Sequence, residues 1–396
     1  MRGGREADGV EKPIFYINCD LIMRFGKLTS IELQSNVLDL LKARRNEVIV
    51  GPAAGEDCAV IRAVDGLVFL TCDPITAAAS DLGTLAVHIN CNDLAASGAE
   101  PLGIMINLLM PPSAGPEDVK AVMADAEEAA KNLRIDVLGG HTEFTNAVGR
   151  PIISATGVGM ARKAINTSTA AIGDAIVMTK SAGLEGAYII AKDHADRLVS
   201  LPMLDEMAGD HAAAEILVSD KKITADKNTP VKKKTAKNAT DDRSAVEITE
   251  ADIAETLNFI KSISVLPVSR ICLKYEVSAM HDATEGGVLN AVAELCRGCG
   301  LGAEIQESKI PVAEVTRKIC ARLNLNPYKL LSSGSLLCAV KKPKPMLEEL
   351  QAAGIEAAVI GYIEPKERGM VCIGKKGVET AITEETDEIN KLTSIN

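Results

Sequence analysis

Acidic residues recur in this chain beside glycine, or where one element must give way to the next. Glu56 and Asp57 lie in "GPAAGEDCAVI", Asp73 ends "VFLTCD", and Asn92-Asp93 sit inside "INCNDLAASGAEPLG". His141, Thr142 and Glu143 follow Gly139 and Gly140 in "LGGHTEFT", and Asp282 and Glu285 fall in "MHDATEGGVLNAVAEL". Asp93 is the hardest to explain, because Leu82, Leu85, Ala86 and Ile89 precede it on the same apolar helical face. A carboxylate there needs a partner. Converging carboxylates repel, and each is pushed towards protonation. A hard cation with oxygen ligands relieves that repulsion, and Mg²⁺ held this way usually also holds substrate phosphates. Neighbouring glycines let backbone amides approach phosphate oxygens, and a helix opening at Gly286-Gly287 offers its N-terminus to an anion. Taken singly, each group also has a plain structural reading. Glu56-Asp57 is a turn, Asp73 a cap, His141 a structural histidine, and "DATEGG" a helix start capped by Thr284 or Asp282. The recurrence of the pattern favours metal and phosphate chemistry, while the spacing leaves open whether these segments meet in space.

The common alternatives are missing. There is no GxxxxGK[ST] loop, no GxGxxG after a strand, no GxSxG elbow and no HExxH helix. Five histidines are too few for a His-rich metal site. A formal net charge of -11, 3% aromatic residues and no Trp argue against a nucleic-acid partner. The 396 residues, 47% of them hydrophobic, suffice for two or three domains with a sizeable core. No apolar run is long enough to span a bilayer, and "MRGGREADGVEKP" has no apolar signal core, so a cytoplasmic protein without membrane attachment is expected. The ten cysteines are scattered and mostly in apolar context. Cys296 and Cys299 in "CRGC" read as a helix terminus beside Gly298 and Gly300 rather than a metal or redox pair.

The elements that must position these groups follow from periodicity. Residues 1–22 read as a poorly ordered extension. Ser30 is placed to cap an amphipathic helix from Ile31 to Leu41. "VFLTCD" and "LGIMINLLM" read as strands, with a helix from about Asp81 to Gly98 between them. "GPEDVKAVMADAEEAAKNL" reads as an amphipathic helix with Pro116 in its first turn. "DVLGG" and "PIISATGVGMA" read as strands, and "GDAIVMTKSAGLEGAYIIA" as strand, turn and helix. Residues 219–246 carry seven Lys between positions 221 and 237 and almost no large apolar side chains, the composition of an exposed insertion.

"GEDCAVI", "VFLTCD", "VHINCNDLAASGAEPLGIMINLLMP", "LGGHTEFT", "GDAIVMTKSAGLEGA" and "MHDATEGGVLNAVAEL" occur in an order that resembles the aminoimidazole ribonucleotide (AIR) synthase-like superfamily. That group includes AIR synthase, the thiamine-monophosphate kinases, the selenophosphate synthetases and the hydrogenase-maturation protein HypE. The chain looks most like the HypE-type, AIR synthase-related branch. The resemblance runs from about Met23 to the C-terminus, apart from the Lys-rich insertion. It implies a two-domain α/β (α+β) fold. An N-terminal ATP-binding domain over 23–165 would lend strands to a barrel in a homodimer, and a C-terminal α/β sandwich domain would follow over 166–396. ATP and Mg²⁺ are the implied cofactors, and the acceptor is a small molecule or a protein group. Carried over by motif, Asp57, Asp73, Asp93 and Asp282 are metal-binding acids, and Asp93, His141 and Lys27 are catalytic. Asn92, Gly139, Gly140, Thr142, Thr284, Gly286 and Gly287 surround the nucleotide. Glu56 stands where the motif often has Asp.

The chain departs from its models in two places. HypE ends in a Cys that carries the group being activated, whereas this sequence ends "KLTSIN" and its last Cys is Cys372, in an apolar stretch. Selenophosphate synthetases place a reactive Cys or selenocysteine just before an N-terminal Lys, and "MRFG" precedes Lys27 here. The expectation is an ATP-dependent enzyme that activates or phosphorylates an oxygen of its acceptor, without carrying a carbamoyl group on its own C-terminus. The competing reading is a nucleotide-binding maturation or partner protein related to HypE, whose catalytic residue is lost and whose Lys-rich insertion docks an acidic protein. Retention of all the acidic motifs favours the enzyme.

Overall fold

A computed structural model describes residues 29–36, 38–40, 46–53, 55–199 and 246–393. The N-terminal extension, Lys27 and all of the Lys-rich insertion but Val246 lie outside the described residues.

The first half contains helix α1 (Ser30–Asn36), strands β1 (Val48–Val50), β2 (Ala59–Ala63) and β3 (Gly66–Ile75), helix α2 (Leu82–Ala96), β4 (Glu100–Met110), α3 (Pro116–Leu133), β5 (Asp136–Phe144) and β6 (Ile152–Ala161). The six strands form one sheet in the order β1-β2-β3-β6-β4-β5. Helix α1 is shorter than expected. It stops at Asn36, a 3₁₀ turn follows at Leu38–Leu40, and Ser30 is its first residue rather than its cap. The Ser30 N–H donates to Glu384 at 2.6 Å, so a contact distant in sequence fixes this helix.

The second half contains β7 (Ala175–Thr179), α4 (Leu184–Asp193), α5 (Ala195–Val199), α6 (Glu250–Leu257), α7 (Leu266–Cys272), β8 (Val277–Ala283), α8 (Gly287–Cys299), β9 (Gly302–Gln306), α9 (Glu314–Leu323), β10 (Ser335–Val340), α10 (Pro343–Ala352), β11 (Ala357–Glu364), β12 (Met370–Ile373), β13 (Glu379–Ala381) and α11 (Asn390–Thr393). Its seven-stranded sheet runs β13-β12-β9-β11-β7-β10-β8. Apart from the parallel β12–β9 pair it is antiparallel. The chain is therefore a mixed α/β protein with two sheets.

Helix α2 joins the halves. It packs on β3, β4 and β6 of the first sheet and also touches β8 and α7 of the second half. Leu82, Leu85, Ala86, Val87, Leu94, Ala95 and Ala96 are all buried, so the helix has no solvent face and its apolar residues point in every direction. Each fully buried aliphatic side chain contributes about 1.5–3 kcal/mol. That gain offsets the cost of the polar residues Asn90, Asn92 and Asp93 on the same helix. Along β3 the period of two sends Phe69, Thr71, Asp73 and Ile75 to one side. Phe69, Thr71 and Ile75 are buried there, and β3 packs on α2.

Candidate active site

Four acids from four separate segments meet at one cavity of about 580 Å³. Asp57 comes from the loop before β2, Asp73 from β3, Asp93 from the last turns of α2 and Asp282 from the edge strand β8. Thr71, two residues before Asp73 on the same side of β3, donates from Oγ1 to Asp93 Oδ2 at 2.5 Å. Asn90, one turn before Asp93 on α2, accepts the Asp73 N–H on its side-chain oxygen at 3.1 Å. Its amide in turn donates to the Ala86 carbonyl at 2.9 Å. Strand and helix are thus pinned together at the point where each presents a carboxylate.

The electrostatics follow from this convergence. Burial pushes the Asp93 carboxyl well above the usual carboxylate range. The charges of Asp73, Asp282 and Asp57 push it further, and only the Thr71 hydroxyl pulls the other way. His281 precedes Asp282 on β8 and brings the opposite charge. Its Nδ1 lies 2.6 Å from Asp57 Oδ1 and its Nε2 2.9 Å from Glu294 Oε2. Burial alone would lower its proton affinity, but Asp57 and Glu294 overcome this and raise it well above that of an ordinary imidazole. Burial also raises Glu56, against a hydrogen bond from Thr167 Oγ1 at 3.1 Å.

Asp57, His281 and Asp282 place ligand atoms within 4.8 Å of one another. The imidazole is already committed to two carboxylates, so the oxygens of Asp57 and Asp282 dominate what remains, donors that suit a hard divalent cation such as Mg²⁺, and Asp73 and Asp93 line the same cavity. Thr284 lines the cavity beside Asp282.

Other sequence-derived assignments need correction. Asn92 does not face the cavity. Its side chain donates to the Ile263 carbonyl at 2.9 Å and accepts the Val265 N–H at 2.8 Å, clamping a segment of the second half onto α2. One residue along a helix turns the side chain by about 100°, so Asn92 and Asp93 serve different neighbours. Gly286 and Gly287 do not present an open anion site either. The Gly286 N–H donates to Asp387 Oδ2 at 2.6 Å, and the Gly287 N–H donates to the Thr284 carbonyl at 3.0 Å. Both glycines have positive φ, and a Cβ on Gly287 would stand 2.6 Å from the Tyr328 carbonyl oxygen, so they serve a tight turn and close packing. Burial pushes the Asp387 carboxyl up to about 7, against its backbone donors.

Gly139, Gly140, His141 and Thr142 lie on β5, the outer strand of the first sheet, and are exposed. Gly140 pairs with Ile106, Ile106 with Ala155 and Ala155 with Asp73, so this motif lies in the same transverse row as Asp73, three strands away. At about 4.8 Å per strand that is roughly 14 Å. One chain does not bring His141 or Thr142 to the acids. His141 Nε2 instead lies 3.3 Å from Glu143.

Cys296 and Cys299 close α8 ahead of Gly300, as read from the sequence, and Cys372 is buried in β12. Sequence reasoning missed Thr71, Asn90, His281 and Glu294. The two-residue step from Thr71 to Asp73 and the adjacency of His281 to Asp282 were the available signals. Glu294, which is only 13 residues beyond His281, carried none.

Two family models match the chain. The AIR synthase related protein N-terminal domain covers residues 55–161, and the AIR synthase related protein C-terminal domain covers residues 216–373. A protein of Methanocaldococcus jannaschii that carries the name hydrogenase expression/formation protein is 26% identical over 90% of this chain and 95% of its own length. The carbamoyl dehydratase HypE of Azotobacter vinelandii is 25% identical, over 79% of this chain and 77% of its own. The crystal structure of a hydrogenase maturation protein HypE in complex with ATP superimposes with a TM-score of 0.56 at 18% identity, covering 91% of this chain and 93% of that one. The chain belongs to the AIR synthase-related proteins, in their HypE-type branch.

Proposed function

We propose that the protein is an ATP-dependent enzyme that binds Mg-ATP in the acid-lined cavity and activates or phosphorylates an acceptor there. The observation that carries this reading is the burial of Asp93 among Asp57, Asp73 and Asp282, with Thr71 as the one side-chain donor to its carboxylate among the described residues. A structural role needs no such clustered charge. Likeness to a carbamoyl dehydratase and to an ATP-bound HypE supports the nucleotide.

Asp57, Asp73, Asp93 and Asp282 would hold Mg²⁺, which when bound neutralises phosphate charge. The protein's own part is positioning and fixed charge, as phosphoryl transfer demands. Thr71 holds the Asp93 carboxylate, and Asn90 holds the backbone from which Asp73 projects. The imidazolium of His281 supplies a positive charge at the cavity wall that needs no reorganisation during reaction.

The same reading includes a homodimer through the first sheet. Its face away from α2 exposes Leu102, Met105, Leu138 and Met160, with Phe144 at the end of β5. A second copy laid on such a face would bury it. Turnover of Mg-ATP to ADP by the purified protein, lost in Asp282→Asn, tests the assignment. A parent protein that neither binds nor turns over Mg-ATP would end it.

A further inference from the structure

A second cavity of about 240 Å³ adjoins the first and shares Asp73 and Thr284 with it. Its floor is apolar, with Ile75, Ile89, Leu331 and Ile389. Glu185, in the first turn of α4, and Ser333, just before β10, are both in its wall. Glu185 is 3% exposed and Ser333 1%. Ser333 stands close enough to pull the Glu185 carboxyl down against its burial, but among the described residues Oε2 of Glu185 and Oγ of Ser333 have no further hydrogen-bond partner. A buried polar atom left this way costs about 1–3 kcal/mol, so its retention calls for a ligand that satisfies it.

The wall also limits the ligand's charge. Among the described residues no Lys, Arg or His lines this cavity, whereas Asp73, Glu185 and Glu285 do. An anionic group would find no cationic side chain among the described residues of this wall. The volume lies below the roughly 300–1,000 Å³ of drug-sized sites.

We infer that this second cavity is the acceptor subsite, and that Glu185 and Ser333 hold there a small acceptor without negative charge that offers an O–H or N–H group on a short apolar body. Glu185 accepts the hydrogen bond from that group, Ser333 completes it, and the shared wall at Asp73 and Thr284 opens the acceptor towards the phosphates. This rests on the Mg-ATP reading for the neighbouring cavity.

The test uses the full chain. Saturation-transfer NMR with and without Mg-ATP would measure binding of acetamide, 1,2-propanediol and ethanolamine, and of acetate, inorganic phosphate and glycerol 3-phosphate as anionic counterparts. Parallel titrations would give the Mg-ATP Kd. The expected result is that at least one of the first three binds the parent while the anions do not. Its affinity should fall tenfold or more in Glu185→Leu, with the Mg-ATP Kd within twofold of the parent. Glu185→Gln, which keeps the shape and a hydrogen-bonding oxygen, should retain part of that affinity and guards against misfolding of the Leu variant. The inference is overturned if no non-anionic probe binds the parent, if the anions bind equally well, or if binding is unchanged in both variants. Probe binding without any Mg-ATP binding would sink the reading of the first cavity and with it the acceptor role, leaving only a small-molecule site here.

Discussion

His281 Nδ1 lies 2.6 Å from Asp57 Oδ1, which favours a protonated imidazole in the wall of a cavity whose other charged residues, among those described, are all acids. Its second nitrogen is held by Glu294. One buried cation therefore offsets part of the charge of the acids even before any metal binds.

Removing that cation should be costly. His281→Ala leaves Asp57 and Glu294 without it, and breaking a buried pair by deleting one partner costs about 3–5 kcal/mol. Urea unfolding in metal-free buffer should show a loss of this size with an unchanged slope. A loss below about 1 kcal/mol would mean that the ring is neutral and contributes only packing.

Glu185 and Asp387 give the fold a pH dependence of known sign. Burial holds both carboxyls up at about 7, well above their usual range. Their ionised forms are disfavoured in the folded state. The stability they contribute is complete below about pH 4, and it is lost as pH rises through about 7. At 1.36 kcal/mol per pH unit the ceiling is on the order of 3–4 kcal/mol for each. Glu185→Gln should therefore be more stable than the parent at pH 8, and the gap should shrink towards pH 4. A parent-to-variant difference that does not change with pH would show that Glu185 ionises as freely in the fold as outside it.

Asn92→Ala separates scaffold from site. The change strands the Ile263 carbonyl and the Val265 N–H, at about 1–3 kcal/mol for each buried group. The expected outcome is a lower thermal midpoint, with the Mg-ATP Kd, measured below the transition, within twofold of the parent. Lost nucleotide binding in a folded variant would return Asn92 to the site.

Much of this arrangement was legible in the sequence. Short apolar runs gave β3, β4 and β6, and the Pro116 start and apolar stripe gave α3. Asp57, Asp73, Asp93 and Asp282 were singled out because each broke an apolar pattern or stood beside glycine. Their partners were harder to see. Whether a polar residue faces a ligand or a neighbouring backbone depends on its angle around the helix and on what packs there. Helix α2 is apolar on every side, so nothing in its sequence separated Asn92 from Asp93. The capping of α8 by Asp387 joins residues about a hundred positions apart, beyond the reach of any local signal. The edge position of His141 depends on strand order, which periodicity does not encode.

The most direct test of the account is a calorimetric titration of ATP into the parent and into Asp93→Asn, each with Mg²⁺ and with EDTA. The parent should bind only with Mg²⁺. Asp93→Asn should bind at least tenfold more weakly, yet unfold in EDTA at the same or a higher midpoint, because the repulsion of Asp73, Asp282 and Asp57 on that carboxyl is gone. Metal-independent binding by the parent, or Mg-ATP binding by Asp93→Asn equal to the parent's, would contradict it.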